Sequence, residues 1–341
     1  MQDAWMVRKA EEIHSSDSTT LLTEESQILK RWAEHFRSVL NCSSAISETS
    51  IDRLPQVDMN NDLHLPPSLQ ETIRAVQQIS SGKAPGSDAI PPEVYKHGGP
   101  RLMAELTTLF QEMCRQKRVP PDFKDVNIVH LYKRKGNRQL CDNHRGISLL
   151  KIAGKVFTRI LLNCLNGHLE QSLLPQSQCG FRRHRGTTDR IFATYQLQEK
   201  CRETRTRLYN TFVNLTKTFE TVNHDELWKF MQKFGCPEWF THIVRQLHNG
   251  MMVRIIDNET VSEAFAVTNG VKRGGVLADT LFSLMFSSVL MDVYRDERPV
   301  IRIAYRTEGH LLNSWRMQAQ HACVRIQSMT SPSRATAPLT P

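Results

Sequence analysis

The chain has no Cys-x-x-Cys pair, although eight cysteines stand at positions 42, 114, 141, 164, 179, 201, 236 and 323. That scatter excludes a zinc cluster and a compact disulfide scaffold and predicts reduced thiols, as inside a cell. Long hydrophobic runs are missing too, and the longest near-apolar stretch, Leu281 to Met291, is too short to cross a bilayer. The first residues include Asp3, Arg8, Lys9 and Glu11 with no apolar core, which argues against a signal peptide. A phosphate loop is excluded as well: the stretch from Gly82 to Gly99 has glycine and lysine, but at the wrong spacing. No internal repeat is present. These absences predict a soluble intracellular protein of the nucleus or cytosol, without a membrane partner.

What is present suits a folded chain. Of 341 residues, 40% are apolar and 23% charged, ordinary globular values that argue against wholesale disorder. The length permits one large domain or two smaller ones. A net charge of +9 and a pI near 9.2 point to a polyanionic partner, or to solubility alone.

Residues 1–61 read as a helical lead-in and linker. Thr23 is placed to cap a helix whose Glu24 and Glu25 suit the positive end of its dipole. Ile28, Trp32, Phe36 and Val39 form its apolar stripe, and the Ser/Asn-rich stretch after it predicts loose docking. Ser68 to Glu71 is a capping box that opens a helix with Leu69, Ile73 and Val76 inward. After the irregular Gly/Pro stretch, Leu102, Leu106, Leu109, Phe110 and Met113 mark an amphipathic helix ended by Pro120 and Pro121.

Val126 to Tyr132 predicts a strand running into a turn crowded by Lys133, Arg134, Lys135, Arg138 and Arg145. A second basic cluster, Arg182, Arg183, His184 and Arg185, follows Phe181. Each cluster alone reads equally as a solvated face; two on one scaffold, joined by a helix with Val156, Ile160, Leu161 and Leu165 inward, suit phosphate binding. Phe181 can stack on a base or pack in the core.

Tyr209 to Val213 has the period-2 mark of a short strand. Asn214, Thr216, Lys217, Phe219 and Glu220 then precede a helix capped by Asn223, with Glu226 at capping-box spacing. Such a connection is either ordinary or a place for chemistry. Two amphipathic helices follow, then a hairpin around Asp257 and Asn258, a basic glycine loop from Asn269 to Gly275, and an apolar helix from about Thr280 to Val293. A further hairpin is expected around Glu308 and Gly309, and residues 321–341 read as a disordered Ser/Thr/Pro-rich tail.

Five blocks carry a resemblance: GKAPGSDAIPPEVYK, IVHLYKRKGNRQLCDNHRGISLL, QSQCGFRRHRGTTD, FVNLTKTFETVNHDELW and NGVKRGGVLADTLFSLMFS. In order and spacing, from about Thr23 to Gln320, the chain resembles the reverse transcriptase domain of non-LTR (LINE-type) retrotransposons. The resemblance implies an α+β, right-hand polymerase-like fold: a fingers-like region over 62–206 and a partial palm over 207–320, an antiparallel sheet packed with helices, cut before the second catalytic hairpin. It implies an RNA template or RNA–DNA hybrid and deoxynucleotides as partners. Lys133 and Arg145 would lie near the incoming triphosphate, Phe219 beneath the sugar, and Gly274 and Gly275 where backbone approaches nucleotide and template. Arg182, Arg183 and Arg185 would bind nucleic acid.

The family also uses magnesium held by aspartates, because that hard cation wants anionic oxygen. Here the resemblance places Asn214 at the metal-ligand position, Glu220 at the second acidic position, Arg273 at the family's glutamine and Asp279 at its proline. The later Asp-Asp pair is absent: after Gly274 the aspartates are Asp279, Asp292 and Asp296. The expectation is therefore a degenerate, truncated reverse transcriptase domain with no intact metal site and no catalysis, its ending near His321 like a shifted reading frame. The alternatives are a non-catalytic RNA-binding or RNA–DNA-binding remnant, or a decayed frame without selected function.

Overall fold

The computed structural model describes residues 12–42 except 18, residues 51–293 except 53, 55, 61–62, 64–65, 172, 176–177, 183–184, 206 and 211–216, and residues 306–307 and 310–311. Ile13–His14 (β1) and Leu21–Leu22 (β2) pair antiparallel ahead of α1 (Glu25–Leu40). The cap of α1 is Glu24 rather than the expected Thr23, because the first helical bond runs from the Ile28 N–H to the Glu24 carbonyl; no side chain completes the cap.

Further α-helices among the described residues are α2 (Leu69–Gln78), α3 (Pro92–His97), α4 (Gly99–Arg115), α5 (Pro121–Lys124), α6 (Ile152–Leu169), α7 (Thr187–Glu203), α8 (His224–Lys233), α9 (Glu238–His248) and α10 (Ala278–Val293). The Ser68 capping box forms as expected, and Asn223 caps α8 through its side chain and the Glu226 N–H. Two leucines expected inward are exposed. Leu69 is the first residue of α2, at the end of its contact face. Leu109 lies on the flank of the Met103, Leu106, Phe110 and Met113 stripe of α4.

A mixed sheet joins β3 (Val126–Tyr132), β4 (His144–Leu149), β5 (Met251–Asp257), β6 (Thr260–Val261) and β7 (Phe265–Val267). Pairing is antiparallel in β3–β4, β5–β6 and β5–β7, but parallel in β3–β5, with Ile128 opposite Ile255. The expected all-antiparallel sheet is thus corrected. The long helical connection from the end of β4 returns to the same end of the sheet to start β5, so β5 runs opposite to β4 and therefore parallel to β3. Regions 62–206 and 207–320 both contribute strands to it. Arg306–Thr307 (β8) and His310–Leu311 (β9) pair around positions 308 and 309, where a hairpin is expected. The helices and mixed sheet make the fold α+β.

Two apolar cores result. The larger gathers Phe110, Phe157, Leu161, Phe230, Phe240 and Leu281 from the helices. The smaller seats Ile28, Trp32, Phe36 and Leu40 of α1 on Val126, Ile128, Val253 and Ile255 of the sheet. Trp32 also stacks on His130 with ring centroids 4.0 Å apart. The loose docking expected of α1 is therefore wrong; a buried tryptophan and phenylalanine fasten it. Gly146 makes room, since a Cβ there would stand 2.7 Å from Phe36 Cε1. No helix among the described residues is long and apolar enough to cross a membrane.

Candidate nucleotide and nucleic-acid site

The β3–β4 hairpin, the segment after position 216 and the basic glycine loop meet at one end of the sheet. Lys133 follows β3 and Arg145 lies in β4, opposite Leu131. The Lys133 ammonium donates to the Asp142 carbonyl at 2.6 Å, while Lys217 pairs with the Asp142 carboxylate at 2.8 Å. That hydrogen bond from Lys217 holds the Asp142 carboxyl below its ordinary range. Lys133 is itself shifted below the usual lysine value, first by burial and next by Arg145, with Arg273 and Lys217 adding to this and Glu220 opposing it. Two lysines thus converge on one aspartate.

The glycine loop completes the site. Arg273 Nη1 donates to Glu220 Oε1 at 3.2 Å, and its guanidinium lies 5.4 Å from the centroid of the Phe219 ring. Glu220 is only 8% exposed, and its Oε2 is buried without a hydrogen-bond partner. Ser148 of β4 donates its N–H to the Arg273 carbonyl at 2.9 Å, tying the loop to the sheet. Gly274, at φ +85°, takes a backbone turn that a side chain would strain, as does Gly270 at the same φ.

Gly270 is held most tightly. Its N–H donates to the Val222 carbonyl at 2.7 Å, the next N–H, of Val271, donates to the Phe219 carbonyl at 2.7 Å, and His224 Nε2 meets the Gly270 carbonyl at 2.7 Å. A Cβ on Gly270 would stand 2.7 Å from the Glu220 carbonyl oxygen. Gly270→Ala is expected to destabilise the chain by about 1–3 kcal/mol through this overlap and the left-handed backbone. An unchanged thermal midpoint would refute that account of the loop.

Sequence-predicted residues divide into those brought together and those not. Lys133, Arg145, Glu220, Arg273 and Gly274 converge, joined by Lys217 and Asp142, which sequence reading did not assign to the site. Phe219 stands beside them, 5% exposed, its ring meeting Phe181 and Phe282 at centroid distances of 5.7 and 5.0 Å. Phe181 meets Phe219 and Phe282 edge-on but is 39% exposed, so it flanks the core and both of its expected roles stay open. Arg182 Nη1 donates to the Leu174 and Pro175 carbonyls, both at 3.3 Å, so it braces its own turn. Arg185 is exposed. Asn214, Arg183 and most of the expected strand from Tyr209 to Val213 lie outside the described residues, as do residues 321–341. Among the described residues, no group of three or more His, Cys, Asp or Glu side chains could hold a metal ion.

The profile of the family described as reverse transcriptase (RNA-dependent DNA polymerase) matches residues 132–305, just over half of the chain, and spans the whole cluster. The RNA-directed DNA polymerase from mobile element jockey of Drosophila funebris is 23% identical over 220 residues, covering 64% of this chain and 24% of that protein. Its counterpart from Drosophila melanogaster is 22% identical over 282 residues, covering 76% and 31%. The Retrovirus-related Pol polyprotein from type-1 retrotransposable element R2 of Bradysia coprophila is 22% identical over 298 residues, covering 84% and 33%. The chain spans about a quarter to a third of the length of these relatives. It belongs to the reverse transcriptase family, as a domain of the non-LTR retrotransposon type.

Proposed function

We propose that this chain is a reverse transcriptase domain that holds nucleic acid and nucleotide but does not polymerise. In this reading residues 62–206 are fingers-like and 207–320 palm-like, with the two sharing one sheet. Lys133 and Arg145 face a nucleotide triphosphate, Phe219 stands beneath its sugar, and Arg182, Arg183 and Arg185 touch an RNA template or RNA–DNA hybrid. Guanidinium forks and ammonium groups are the chemistry such phosphates require.

The family works with magnesium, which activates the primer hydroxyl and neutralises the leaving phosphate. The described residues do not fit a pair of such ions. Glu220 is already engaged by Arg273, and Asp142 by Lys217. The amide of Asn214 supplies no charge at the other expected ligand position. A dication placed here would compete with guanidinium and ammonium groups for those carboxylates. The Arg273–Glu220 ion pair is the observation that carries the reading.

Primer extension on an RNA template with magnesium is expected to give no product above background; clear extension would overturn the non-catalytic reading. Binding of a short RNA–DNA hybrid should weaken steeply as salt rises, because phosphate contacts release counterions. Replacing exposed Arg185 with alanine should weaken that binding uniformly across sequences and lower the salt slope by about one. Binding indifferent to salt would remove the basic surface from the account.

A further inference from the structure

The same contacts that work against magnesium gather positive charge. Arg273 spends one N–H on Glu220 and keeps the rest of its fork. Lys217 and Lys133 both reach Asp142, one at its carboxylate and one at its carbonyl. Arg145 makes no ion pair among the described residues. Asp279, in the first turn of α10, is near enough to Arg273 for the two charges to interact. Asp142 and Glu220 are thus each answered by a cation, while Lys133 and Arg145 stand in excess. In a site that holds magnesium between carboxylates and phosphates, the metal separates two sets of negative charge. Here cationic side chains already answer the carboxylates of Asp142 and Glu220.

We propose that this site binds a nucleoside triphosphate in its metal-free form in preference to its magnesium complex, with Arg273 supplying charge compensation together with Lys133, Arg145 and Lys217. The inference rests on the reading of Lys133 and Arg145 as triphosphate-facing. A metal-free triphosphate carries more negative charge and offers every phosphate oxygen to forked and point-charge donors. Its magnesium complex has part of that charge cancelled, some of its oxygens occupied, and a dication that must approach guanidinium and ammonium groups. Magnesium therefore competes with the protein for the ligand. That inverts the usual order.

The test is calorimetric titration of the full chain with a deoxynucleoside triphosphate and, separately, with inorganic tripolyphosphate. Each is run in EDTA and in excess magnesium at matched ionic strength. Binding several-fold tighter in EDTA is the expected result. Arg273→Gln should weaken the EDTA affinity by about tenfold, the worth of one charge-assisted hydrogen bond, and erase the preference. The variant's thermal transition checks that it remains folded. Equal affinity in the two buffers, or binding that needs magnesium, overturns the inference while leaving the nucleotide reading of Lys133 and Arg145 in place. No binding in either buffer overturns both. A preference that survives Arg273→Gln in a folded variant removes Arg273 from the site.

Discussion

Replacing Lys272 with methionine is expected to stabilise the chain by a few kcal/mol and to flatten its stability between about pH 7 and pH 8.5. Lys272 is buried within the glycine loop, next to Arg273. Burial pushes its ammonium down to about 7; Lys124 adds to that, and Asp125 works against it. In the unfolded chain a lysine titrates near ~10.4. Between the two values the unfolded state holds the extra proton, so stability rises with pH across that window. Below about pH 7 both states are protonated, and the full cost of burying the charge remains. At about 1.4 kcal/mol per pKa unit, a shift of this size is worth a few kcal/mol, which methionine recovers with a similar volume and no charge.

Other buried groups define the clean range for that measurement. Burial holds His248 down to about 3, and the Lys272 charge adds to this, so its rising slope falls at lower pH, up to its ordinary value of 6.5. Burial, partial for Cys114 and Cys164, pushes the thiols of Cys114 and Cys236 up to about 12 and those of Cys141 and Cys164 to about 11. Unfolding releases their protons above roughly pH 8.5, and stability then falls as pH rises. Urea unfolding of wild type and Lys272→Met at several pH values below that point checks the prediction. Parallel profiles for the two proteins would mean that Lys272 keeps its charge in the fold.

The second large effect lies in the main core. Phe157→Ala is expected to cost about 3–5 kcal/mol, enough to leave a marginal domain largely unfolded. Phe157 is fully buried on α6 and contacts Phe110 and Phe123, at ring-centroid distances of 5.2 and 6.5 Å. These rings join α4, the short α5 and α6, so the cavity left by truncation opens between three elements that cannot all close on it. Phe157→Leu, which keeps most of the volume, should cost about 1.5 kcal/mol or less. A shift of the urea midpoint no larger for alanine than for leucine would show that the core collapses around the gap.

Sequence periodicity revealed β3 and most of the helices because their buried faces are apolar at regular spacing. It missed β4, whose inward residues are His144, Gly146 and Ser148, a small and polar face that exists to admit Phe36. It missed α7 for a related reason: only Thr194 and Cys201 of that helix are buried, so no apolar stripe announces it. The five ordered blocks made the family legible, and they named Lys133, Arg145, Glu220 and Arg273 as candidates. The Lys217–Asp142 and Arg273–Glu220 pairs were not legible, because each joins residues far apart in the chain. Local pattern has no access to such pairings; tertiary structure creates them.

The parallel pairing of β3 with β5 has a consequence for how the chain acquires its structure. Val126 and Val253 are partners although more than a hundred residues separate them. Contacts that distant impose a large loop-closure cost before they return any stabilisation, so the sheet belongs to the slow part of folding. During synthesis the β3–β4 hairpin is complete long before its partner leaves the ribosome. Until β5 arrives, Val126, Ile128 and Val129 present an open apolar strand edge of the kind that recruits other chains. The nascent chain is thus most exposed to aggregation while translation runs from β4 to β5, and that is the interval in which a chaperone would matter most.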